Sequence, residues 1–119
     1  MKVGVVGLGT MGAGIAQLAV EAGLETVGRE VTDELGERAR GRIEHFLTRK
    51  VEKGQLDSFD IGLLSLTTDV SAFSDCDVVI EAIVEELDPK RELFAELERV
   101  CRPDAVLATN TSALSVTEI

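Results

Sequence analysis

The sequence predicts an α/β protein: a mainly parallel, doubly wound sheet with helices on both faces. Three observations predict it. Val3, Val5 and Val6, then residues 77–82 (DVVIEA) and 105–109 (AVLAT), form short runs with the continuous apolar character of strands buried on both faces. Between them lie segments whose apolar residues recur at helical spacing. Strands alternating with helices in this way imply a parallel sheet joined by right-handed crossovers.

The first strand, 1–7 (MKVGVVG), breaks directly into glycines at Gly7, Gly9 and Gly12, spaced G-x-G-x-x-G, and opens onto a helix. In a dinucleotide site the first glycine allows the sharp turn and the second lets backbone approach a pyrophosphate. The third lets the helix lie close to the sheet, and the anion then sits on unpaired N–H groups at the helix start. Eighteen residues after Gly12 comes an acidic residue, Glu30, at the end of the next strand-like run. That context, strand before and helix after, predicts a Rossmann-type arrangement.

The first helix carries Ile15, Leu18, Ala19 and Ala22 on one side and stops at Gly23. Residues 24–29 (LETVGR) read as strand two, in which Gly28 marks a close approach or a bulge. Thr32 and Asp33 cap a long second helix whose apolar face is Leu35, Ala39, Ile43, Phe46 or Leu47, and Val51, ending at Gly54. A short helical turn over 57–64 and a weak strand over 66–69 follow, then the strong strand at 77–82. A helix over 86–100 has Leu87, Leu93, Phe94, Leu97 and Val100 on one side, with Pro89 in its first turn. The last strand, 105–109, leads into Asn110-Thr111-Ser112.

A chain of 119 residues is one domain. With four Phe and no Trp or Tyr its core is aliphatic, and it lacks the aromatic platforms on which nucleic-acid bases stack. Twenty-two acidic against twelve basic residues give a net charge of −10, which argues against DNA or an anionic membrane surface as partner. The charge is uneven: Arg38, Arg40, Arg42, Arg49, Lys50 and Lys53 face only Glu44 and Glu52 between positions 38 and 53. Cys76 and Cys101 fit neither a metal-ligand spacing nor a disulfide framework. With no leader-like or membrane-length segment, a cytoplasmic location is expected.

The stretches VGVVGLGTMGAGIAQLAVEAG, TTDVSAFSDCDVVIEAIVEELDPKRELFAELERVC and AVLATNTSALSVTEI cover nearly the whole chain and resemble the N-terminal domain of the 3-hydroxyacyl-CoA dehydrogenases, in particular the short-chain 3-hydroxybutyryl-CoA type. The resemblance implies oxidation of the 3-hydroxyl of an acyl-CoA to a ketone, or the reverse, with NAD as hydride carrier. It places the cofactor on Gly7, Leu8, Gly9, Thr10, Met11 and Gly12, and sets Glu30 where the family holds the adenosine ribose. A carboxylate there accepts from ribose hydroxyls and repels a 2′-phosphate, so NAD is expected over NADP. Arg29 beside it would temper this only by turning inward, and successive strand residues point to opposite faces.

By the same resemblance Glu85 and Lys90 contact the ribose on the nicotinamide side, Asn110 touches the nicotinamide end, and Ser112 hydrogen-bonds the substrate's reacting oxygen. Ala113 departs from the commoner pattern, which has a second serine there. Lys53 matches a family lysine near the CoA nucleotide; the other reading is a solvated helix face paired with Glu37, Glu44 and Glu52. Removing a hydride from an alcohol also needs a base for the hydroxyl proton. In the family that histidine and its acidic partner lie beyond Ser112, as does the helical domain for substrate and dimerisation. Residues 1–119 are therefore expected to be an incomplete cofactor domain, inactive alone, from a protein whose relatives are homodimers. His45, the one histidine, is expected on the surface and away from the strand ends.

Two other readings stand beside this one. GLGTMG also resembles the turn of the hydroxyisobutyrate and phosphogluconate dehydrogenases, against which ATNTS and KRELFAEL argue. The third reading is a non-catalytic dinucleotide-binding module.

Overall fold

The computed structural model describes residues 1–82 and 87–109, without the side chains at 87–91, 94 and 109. The described residues form five strands and three helices, in the order β1 (Lys2–Val6), α1 (Thr10–Glu21), β2 (Glu25–Arg29), α2 (Asp33–Glu52), β3 (Leu64–Thr67), β4 (Val78–Glu81), α3 (Leu87–Val100) and β5 (Val106–Thr109). All pairings are parallel, in the order β3-β2-β1-β4-β5. The chain order reverses beside β1, so the carboxyl end of β1 is the switch point at which open α/β sheets bind ligands. The register places Val6 beside both Arg29 and Glu81 at that edge.

Burial follows the two-faced character of the inner strands; β5, expected to be buried on both faces, lies at the sheet edge with Val106 57% exposed. Val3, Val5 and Leu64 pack with Ala16, Val20, Ala39, Ile43 and Leu47 under α1 and α2, while Val6, Val27 and Val79 pack with Phe73 and Leu97 on the α3 side. Gly4 permits this second layer, because a Cβ there would lie 2.6 Å from a Phe73 ring carbon.

Three expectations are corrected in detail. The third strand is 64–67 rather than 66–69, because Asp69 leaves the ladder and its carboxylate accepts from the Ser71 N–H, capping a 3-10 turn at Val70–Phe73. The earlier helical turn shrinks to a 3-10 turn, Ile61–Leu63, capped in the same way by Asp60. On α1 the buried face is Gly12, Ala13, Ala16, Ala19 and Val20, and Leu18 is 63% exposed: the helix lies too close to the sheet for a leucine stripe. On α2 it is Leu47, not Phe46, that turns inward, in line with Gly36, Ala39 and Ile43. The Thr32 cap is present, its hydroxyl accepting from the Leu35 N–H at 3.2 Å.

Candidate functional site

The turn after β1 has the geometry its three glycines require. Gly7 takes φ +93°, in the region that favours glycine, and its N–H still extends the ladder to the Arg29 carbonyl at 2.9 Å. A Cβ on Gly12 would sit 1.7 Å from the Gly7 carbonyl oxygen, so α1 touches the turn directly. Among the described residues a Cβ on Gly9 would meet no atom within 4 Å, leaving open space there over the backbone where α1 begins. Gly9, at the N-cap of α1, supplies no side-chain cap, and no acid stands in the helix's first turn, so no carboxylate of that turn competes for an anion there.

Glu30 completes the turn from β2. Its Oε2 accepts from the Leu8 N–H at 2.7 Å and its Oε1 from the Val31 N–H at 3.2 Å. The same carboxylate lines a recess of about 710 Å³ with Leu8, Gly9, Leu35, Arg38, Gly41, Arg42, His45 and Phe46. Arg29 is turned away, its Nε donating to the Thr68 carbonyl at 3.2 Å. An open glycine at the pyrophosphate position with a carboxylate on the adjoining wall fits a bound dinucleotide, whose adenosine ribose would meet Glu30.

The family model described as "3-hydroxyacyl-CoA dehydrogenase, NAD binding domain" matches residues 2–119. The chain belongs to the 3-hydroxyacyl-CoA dehydrogenase family. A 3-hydroxybutyryl-CoA dehydrogenase of Mycobacterium tuberculosis is 44% identical over 123 residues, covering 99% of this chain and 43% of the relative. A 3-hydroxyadipyl-CoA dehydrogenase of Escherichia coli is 40% identical over 121 residues, covering 98% of this chain and 26% of the relative. Among solved structures, the 3-hydroxybutyryl-CoA dehydrogenase of Escherichia coli K12 superposes with a TM-score of 0.95 at 38% identity, over 99% of this chain and 26% of that one. The chain thus spans less than half the length of these relatives. Membership fixes the cofactor class as NAD and the fold as Rossmann-type.

Of the residues the sequence singles out, the structure brings Leu8, Gly9 and Glu30 to one recess, with Gly7, Thr10, Met11 and Gly12 in the same turn and helix start. Lys53 stands apart, at the end of α2, in a smaller recess of about 230 Å³ with Gln17, Phe46, Arg49, Lys50 and Gln55. Glu85, Asn110 and Ser112 lie outside the described residues, as does the side chain of Lys90.

His45 is exposed as expected, but it does not lie away from the glycine turn: with Arg38 and Arg42 it lines the same recess as Leu8, Gly9 and Glu30. The expected pairing of α2 with Glu37, Glu44 and Glu52 is replaced by Arg38–Glu34 at 3.0 Å and Lys50–Glu21 at 2.9 Å. The sequence marks Arg42 only as one of a basic cluster; the structure adds its contact with the turn, where its Nη2 donates to the Leu8 carbonyl at 3.0 Å. Its signal was the spacing of Arg38, Arg42, Arg49 and Lys53 along one side of the helix.

Among the described residues no cluster of His, Cys, Asp and Glu is arranged to hold a metal ion, and no helix is long and apolar enough to cross a membrane. Both cysteines are buried, and burial pushes the Cys76 thiol up to about 11, so it is protonated packing at neutral pH.

Proposed function

We propose that this chain is the NAD-binding part of an oxidoreductase that interconverts 3-hydroxyacyl-CoA and 3-ketoacyl-CoA. The observation that carries the reading is Glu30, which both holds the glycine turn and lines the recess beside Gly9. Its carboxylate accepts from ribose hydroxyls and repels a 2′-phosphate, so NAD is preferred to NADP. Gly7, Leu8, Gly9, Thr10, Met11 and Gly12 hold the pyrophosphate, and Glu85, Lys90 and Asn110 the nicotinamide side. Ser112 hydrogen-bonds the substrate's reacting oxygen. When bound, NAD supplies the hydride acceptor.

An acyl-CoA is the substrate class. Support for Lys53 as a contact to its nucleotide is the recess it shares with Arg49 and the half-exposed Phe46 ring, cations and an aromatic face suited to a phosphorylated adenine. Lys50 is already tied to Glu21, so Arg49 and Lys53 carry that attraction. His45 lies on the adenosine side of the recess and is not assigned to proton transfer. The base, the dimer contact and the rest of the acyl-CoA site belong to the part of the relatives that 1–119 does not span. A cytoplasmic setting suits the two free thiols.

The test is a chimera joining residues 1–119 to the remaining length of the Mycobacterium tuberculosis relative, assayed by NADH oxidation with acetoacetyl-CoA. Turnover lost on Ser112→Ala is expected. A folded chimera that binds NADH and does not turn over contradicts the assignment, and so does turnover at an enzymatic rate by residues 1–119 alone.

A further inference from the structure

We propose that Arg42 is a positioning residue: it fixes the peptide plane between Leu8 and Gly9 and thereby aims the Gly9 N–H at the cofactor's pyrophosphate. The proposal rests on the reading of the turn as the pyrophosphate site.

The turn has a mechanical problem. Two of its three leading residues are glycines, one at positive φ and one facing open space, so their own side chains supply no restraint. Leu8, between them, supplies it instead. Its side chain is buried and wedged against Gly28, where a Cβ would lie 2.7 Å from Leu8 Cδ1. Its N–H is held by Glu30 at 2.7 Å and its carbonyl by Arg42 at 3.0 Å.

These two bonds act on different peptide planes. Glu30 fixes the plane between Gly7 and Leu8, and Arg42 the plane between Leu8 and Gly9. A trans peptide is planar, with its C=O and N–H pointing in opposite directions. Holding the Leu8 oxygen therefore also fixes the direction of the Gly9 N–H. Without Arg42 that plane is free to rotate, and a donor needed for the anion must be ordered at each binding event. The link also joins α2 to the turn across 34 positions of sequence.

The test uses the 119-residue chain with Arg42→Met, which keeps the apolar stem, and Arg42→Lys, which keeps a cationic donor. Hydrogen exchange of the cofactor-free protein is read over residues 7–13, alongside NADH titration and urea unfolding. Expected for Arg42→Met are faster exchange confined to the turn, an NADH Kd raised about tenfold as befits a lost charge-assisted hydrogen bond, and partial rescue by Lys. Unchanged exchange in the turn, or an unchanged NADH Kd, overturns the proposal; so does faster exchange spread over the whole sheet, which marks a merely structural role. If the parent chain fails to bind NADH while the exchange effect is present, the cofactor reading falls and the clamp on Leu8 stands.

Discussion

Glu30 and Leu8 meet across 22 positions of sequence, the Leu8 N–H donating to Glu30 Oε2 at 2.7 Å. One carboxylate thus couples the end of β2 to the glycine turn, and the same group lines the recess. Replacing Glu30 by Ala removes a charge-assisted bond at a half-buried position. Urea unfolding is expected to show a loss of about 1 kcal/mol, with Glu30→Gln, which keeps an acceptor, losing less. Equal stability of all three proteins would mean that the carboxylate does not hold the turn.

The glycines of α1 separate into two kinds. Gly12→Ala would drive a methyl group into the Gly7 carbonyl oxygen, 1.7 Å away, and is expected to cost at least about 3 kcal/mol. Gly14→Ala, in the same helix but facing open space, is expected to stabilise by about 0.5 to 1 kcal/mol through helix propensity. Equilibrium unfolding of both variants checks the contrast, and equal effects would contradict the close packing of turn and helix.

Acid should weaken the fold at the amino end of the sheet. The backbone N–H of Lys2, at 2.7 Å, and then the Arg102 guanidinium hold the Asp77 carboxyl below its ordinary value. The Lys2 ammonium does the same for Asp75, and Lys50 for Glu21. With native values lowered, the unfolded chain binds more protons, so this stabilisation is complete above about pH 4 to 5 and is lost as pH falls through the native values. Unfolding midpoints measured downward from pH 6 are expected to fall below that range, with a shallower slope in Asp77→Asn. An identical slope in the variant would remove Asp77 from the account.

Where local sequence sets the structure, it was legible. The strands at 2–6 and 78–81 announce themselves by clustered Val and Ile, and the G-x-G-x-x-G turn with Glu30 after strand two places the recess, because each depends on residues near in sequence or on a fixed crossover. Strand three was displaced because Asp60 and Asp69 prefer to cap 3-10 turns, a competition between side chain and ladder that periodicity does not reveal. The placing of Arg42 and His45 beside the turn was not legible because it depends on how α2 is rotated about its axis. That rotation is set by Ala39, Ile43 and Leu47 docking on α1 and the sheet, which turns Arg42 and His45 toward Leu8 and Gly9.

The most direct measurement is a side-by-side fluorescence titration of NADH and NADPH into the 119-residue chain, repeated with Glu30→Gln. The account predicts that NADH binds at least about tenfold more tightly, as a carboxylate at the ribose position requires, and that the substitution erases the difference. Tighter binding of NADPH by the parent chain, or no binding of either nucleotide, would contradict it.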